Sequence, residues 1–100
     1  MQSNYPAEFD REQGFSEADW LRCLPGAVRG APIDLTSPGQ ARVALREGTL
    51  TLCWQVLPPR QIGLVRFVRL AVHYHFDGVV DDERQAFMKH FDLYMQRGGG

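Results

Sequence analysis

A chain of 100 residues with 44% hydrophobic content is long enough for one domain with a real core. Its net charge of −1 argues against a dedicated nucleic-acid binder, and two cysteines, Cys23 and Cys53, are too few for a disulfide framework. No apolar run approaches the roughly 20 residues that cross a bilayer, so no membrane partner is expected.

Met1–Pro6 shows neither the basic region nor the apolar run of a secretory leader, and the expected compartment is the cytoplasm, with reduced thiols. Charge is unevenly placed along the chain. Residues 1–20 carry Glu8, Asp10, Glu12, Glu17 and Asp19 against Arg11. Residues 21–70 carry Arg22, Arg29, Arg42, Arg46, Arg60, Arg66 and Arg69 against Asp34 and Glu47. Arginine suits planar, bidentate or stacked contacts, so these cations either meet a ligand or pair with the acidic ends.

Residues 1–14 are polar and aperiodic, interrupted by Pro6 and Gly14, and read as an extended or flexible N-terminal arm with Tyr5 and Phe9 as anchors. A single α+β domain is expected over 15–97, with a flexible glycine tail at 98–100. Ser16 with Asp19 three residues on predicts a helix start, stapled by Phe15 and Trp20. That helix turns Trp20, Leu21 and Leu24 inward and is expected to stop at Pro25-Gly26. Residues 27–31 and 33–35 are short strand candidates before a turn at Thr36–Gly39.

From Gln40 the alternation is strong. Ala41, Val43 and Leu45 form one face, and after a turn at Glu47-Gly48 so do Leu50, Leu52, Trp54 and Val56. Val68, Leu70, Val72, Tyr74 and Phe76 form the matching face of a strand expected over 64–76. Pairing Leu45 with Leu50 and Leu50 with Leu70 keeps one apolar face throughout, with Arg66 as the misfit opposite Trp54. Asp81 is the expected cap of a final amphipathic helix carrying Phe87, Met88, Phe91, Tyr94 and Met95 on one side. The fold class is therefore α+β: a short N-terminal helix, an antiparallel meander of three to four strands, and a C-terminal amphipathic helix packed on one sheet face.

The uncovered face would carry the candidate binding residues Arg42, Arg46, Phe67, Arg69, His73 and His75. Arginines there supply charge, and Phe67 a stacking platform, for a phosphorylated ligand or single-stranded RNA. His73 and His75 share a side, but a catalytic zinc needs a third ligand, and the expected register places Cys53 opposite Phe67, away from His73. No nucleophile elbow or phosphate loop is present, so no catalytic residue, metal site or cofactor is expected and the reading leans away from an enzyme.

Asp34-Leu35-Thr36-Ser37-Pro38-Gly39 resembles the Asp-x-Ser-x-x-Gly element of PilZ domains, with Thr36 in place of Ser, and the stretch from Phe76 through Asp81–Arg84 to Phe91 resembles their closing strand and helix. The resemblance implies cyclic di-GMP as a ligand, with Arg22 or Arg29 supplying the upstream arginine pair. The chain departs from that pattern, because Arg22 and Arg29 stand seven apart rather than four, and only about three strands fit between Gly39 and Phe76, too few for the family's barrel. The leading expectation is a small non-enzymatic interaction or regulatory module, with an unknown protein partner or a second copy as its target. The alternative is a regulator that binds a phosphorylated ligand: cyclic di-GMP, a nucleotide or single-stranded RNA.

Overall fold

Ser16 opens the first helix as its sequence predicts. In the computed structural model, which describes residues 4–98, its hydroxyl accepts the Asp19 backbone N–H at 3.1 Å, and the Phe15 and Trp20 rings meet edge to face at 6.1 Å. Helix α1 spans Glu17–Ala27 and runs through Pro25 instead of stopping there. Pro25 is exposed, on a side where water can take the carbonyl that its missing N–H leaves over. The true stop is three residues later. The Arg29 N–H bonds Gly26 O and the Gly30 N–H bonds Pro25 O, both at 3.1 Å, which is a Schellman closure. Its left-handed position is Arg29, at φ 57°. Trp20, Cys23, Leu24 and Ala27 are the buried residues of α1; Leu21, expected inside, is exposed.

Seven strands follow the same antiparallel habit: β1 (Glu8–Gln13), β2 (Ile33–Asp34), β3 (Gln40–Ala44), β4 (Thr49–Val56), β5 (Arg60–Ile62), β6 (Val65–Phe67) and β7 (Leu70–Asp77). Five of them form one open sheet in the order β1-β7-β4-β3-β2, and β5 with β6 forms a separate small hairpin. The class is α+β, with both helices on one face. The meander β3-β4-β7 is the predicted one, extended by β2 on one side and by β1 on the other. Residues 8–13, expected as an arm, are thus hydrogen-bonded into the sheet, with Phe9 stacked on Tyr74 at 4.6 Å.

The register differs from the predicted one by even numbers. Val43, not Leu45, lies opposite Leu50, a slip of two. Leu50 lies opposite Phe76 and Val56 opposite Leu70, a slip of six. An even slip leaves every side chain on its face, so the alternation that predicted the core could not fix the pairing. Beyond a last bond from the Leu57 N–H to Arg69 O at 3.2 Å the segment 57–69 leaves the sheet, and Arg66 and Val68, expected on the core face, are exposed.

Helix α2 spans Asp81–Gly98; Asp81, expected as its cap, is the first helical residue and bonds Arg84. The glycine tail after Gly98 lies outside the described residues. Met88, Phe91 and Met95 are buried against the sheet, and Phe91 meets Trp20 at 6.0 Å and Tyr74 at 5.8 Å edge to face. Trp20 joins the layers, since its indole also meets Trp54 at 5.9 Å. No helix of the described residues is long and apolar enough to cross a membrane.

Candidate functional site

The uncovered sheet face is built of cross-strand rows. One row runs Glu8, His75, Thr51, Arg42, Asp34 across all five strands, and the next runs Asp10, His73, Cys53, Gln40. Cys53 therefore stands directly opposite His73, where the expected register had put Phe67. The imidazole is nevertheless turned the other way: Nδ1 reaches Asp10 Oδ1 and Nε2 reaches Glu8 Oε2, each at 2.7 Å. The Asp10 bond first and the Glu8 bond second hold His73 protonated to higher pH than usual. With both ring nitrogens engaged by β1, His73 is not placed to take a proton from Cys53, and the row is a cross-strand clamp. Among the described residues no group of three or more His, Cys, Asp or Glu side chains is arranged to hold a metal ion.

The six candidate binding residues divide between separate places. Arg42 and His75 share the first row; His73 belongs to the clamp. Arg46 sits in the turn after β3, where its backbone N–H bonds Glu83 at 3.3 Å. Phe67 and Arg69 belong to the 57–69 segment, Arg69 bonding Pro58 O at 2.9 Å and pairing with Glu12 at 3.3 Å. On the open face Arg42 stands opposite Asp34 and His73 opposite Asp10, so these groups have acidic neighbours across the strand pair. Asp34, in the stretch resembling a ligand-binding loop, accepts from the Thr36 backbone at 2.9 Å and the Thr36 hydroxyl at 2.7 Å. The backbone bond foremost, and the hydroxyl bond after it, pull its carboxyl below the usual range.

The less expected feature is the released segment. It projects as an arm whose two short strands pair Arg60 with Phe67, Gln61 with Arg66 and Ile62 with Val65. One face of the arm is thus Arg60, Ile62, Val65 and Phe67, and the other is Gln61 and Arg66. Ile62, Leu64, Val65, Phe67 and Val68 are all exposed, Leu64 at the tip completely. A pair of three-residue strands has too little buried surface to be stable on its own. Exposed apolar residues gathered in this way mark a contact surface more than scattered single ones do. The signal was in the sequence: Ile62, Leu64, Val65, Phe67 and Val68 are too many apolar residues for a solvent-exposed loop.

Beside the arm, β1 is flanked by two concavities that share Gln13. A groove of about 570 Å³ runs between β1 and α2, walled by Tyr5, Phe15, Leu93 and Met95. A cleft of about 300 Å³ separates Glu12–Gly14 from Ile62, Phe67 and Val68 of the arm. Within the groove, Arg11 lies 5.3–5.5 Å from the Tyr5, Phe9 and Tyr74 ring centres and forks onto Asp92. The Tyr5 hydroxyl donates to Asp92 at 2.6 Å; burial first and that bond second raise its pKa. Burial likewise raises the Tyr74 phenol.

No protein-family model matches this chain, and neither a curated protein nor a solved structure does. The open five-stranded sheet also differs from the barrel that the PilZ resemblance implies.

Proposed function

We propose that this protein is a non-enzymatic interaction module of the cytoplasm that engages a protein partner through its β5–β6 arm. The carrying observation is the arm itself: five exposed apolar side chains held on a hairpin that the other described residues leave uncovered. Burying them in a partner is favourable at about 25 cal/mol for each Å² removed from water, and it would also steady a hairpin too small to hold itself. A phosphorylated ligand on Arg42 and His75 would sit between Glu8 and Asp34 of the same row, so the alternative reading has less support.

A photo-crosslinking residue at Leu64, expressed in the native host, tests the proposal. A discrete protein adduct is expected from position 64 and not from the exposed Ala86 on α2. No adduct at 64, or equal adducts at both positions, would remove the arm as the contact.

A further inference from the structure

The sheet has a free edge that matches the arm in shape and charge. Ala7 O accepts from the Phe76 N–H at 2.7 Å, which in this register turns the backbone groups of Phe9, Arg11 and Gln13 toward β7. The N–H and C=O groups of Glu8, Asp10 and Glu12 therefore face outward, along an edge that no described strand covers. At the opposite edge β2 has only two residues, too short to template a neighbour.

The two sides of the β1 edge differ in chemistry. On the open face stand the carboxylates of Glu8, Asp10 and Glu12. On the helix side lies the β1–α2 groove, with Phe15, Leu93 and Met95 in its walls. A strand added here must be apolar on the groove side and basic on the open side, because added side chains continue the alternation of the sheet. Strand β6 has that pattern, with Val65 and Phe67 on one face and Arg66 on the other, while β5 adds Ile62 and Arg60 to the first face. A second β1 does not, since three acids would meet three acids across the pair.

Resting on the proposal that the arm is the contact element, we infer that its occupant is a second copy of this chain. The β5–β6 arm of one copy adds to the β1 edge of the other, with its apolar face on the β1–α2 groove and Arg66 beside Glu8, Asp10 and Glu12. Within one copy the arm reaches β1 through the pairing of Arg60 and Arg69 with Glu12, and its strands form a sheet separate from the one that holds β1. In a closed two-fold dimer the contact occurs twice, which counts toward the roughly 800 Å² per partner of a stable interface.

The test combines sedimentation equilibrium with intermolecular paramagnetic broadening. A nitroxide is placed at Leu64→Cys in a Cys53→Ser background, because Cys53 is the exposed thiol and Cys23 is buried. This unenriched protein is mixed with ¹⁵N-labelled protein that carries no nitroxide. We expect a dimer, broadening of Glu8–Gln13 and of Leu93 and Gln96, and a dissociation constant about tenfold or more higher for Arg66→Glu, since reversing the charge exchanges attraction for repulsion. A monomer up to about 1 mM would overturn the inference, as that limit leaves under roughly 4 kcal/mol for association. A dimer that broadens β2 and β3 instead, or one indifferent to Arg66→Glu, would overturn it too. A monomer whose position 64 still crosslinks a different protein would end this inference while leaving the arm as the contact.

Discussion

Arg11 and Asp92 meet as a two-point fork, Nη1 to Oδ1 at 2.8 Å and Nη2 to Oδ2 at 2.9 Å, tying the edge of the sheet to the helix that covers it. Their side chains are 21% and 30% exposed, so water screens the pair only in part. Asp92→Ala removes the carboxylate onto which the Arg11 guanidinium forks and releases the Tyr5 hydroxyl. The expected loss is about 1–3 kcal/mol, below the cost of breaking a fully buried pair. Urea denaturation measures it, and amide exchange should speed up first in β1.

His73 gives a pH dependence with a definite sign. Its protonated form is favoured in the folded chain by Asp10 and Glu8, so its pKa lies above the ordinary value of about 6.5. The clamp's contribution to stability is complete below that ordinary value and disappears as pH rises through the folded one. The stability difference between the wild type and His73→Gln should therefore shrink on going alkaline. An imidazole NMR titration should also show the His73 midpoint falling in Asp10→Asn/Glu8→Gln. A midpoint unmoved by that double change would contradict the clamp.

Arg29 occupies the left-handed residue of the α1 closure, where a side chain costs about 1 kcal/mol that glycine avoids. Arg29→Gly should stabilise the domain by about 0.5–1 kcal/mol in thermal melts, and Arg29→Val should destabilise it.

Gly48 is needed for close approach. A Cβ there would collide with the backbone of Asp77 and Gly78 on the neighbouring strand end. Gly48→Ala should cost about 1–3 kcal/mol, the usual range for forcing an atom into packed surroundings. Calorimetry should show this as a drop of at least about 4 °C in Tm.

The arm, by contrast, contributes little to the core. Replacing 58–68 with an Asn-Gly turn between Leu57 and Arg69, which already pair through the Leu57 N–H and Arg69 O at 3.2 Å, should change stability by less than about 1 kcal/mol. A large loss on urea denaturation would show that the arm supports the fold.

Much of this fold was legible in the sequence because burial leaves a periodic trace. Val43, Leu50, Leu52, Val72, Tyr74 and Phe76 alternate in ways that only a one-sided sheet explains, and all are buried. What alternation does not encode is distance along the partner strand. Slips of two and six preserve the pattern, so the cross-strand pairing of Cys53 with His73 was hidden, as was the departure of the arm from the sheet. β1 was hidden for another reason. Its inward positions are Phe9, Arg11 and Gln13, one apolar residue among three, and burial there relies on Asp92 accepting from Arg11. The trace of β1 was the outward series Glu8, Asp10, Glu12, which reads as a charged arm unless the two histidines opposite it are known. The candidate binding residues share one face only if 64–76 is one strand, and they lie apart because β6 and β7 are separate segments.

The place of β1 has a consequence for synthesis. Its neighbour in the sheet begins at Leu70, and Tyr5 is held by Arg84, Gln85 and Asp92, all encoded near the other end. While the ribosome is still making the middle of the chain, β1 has no partner to pair with, and its apolar and acidic faces are open to whatever is nearby. The first strand of this sheet in chain order is then the last to be seated, and closing that long loop is the slowest step the topology demands.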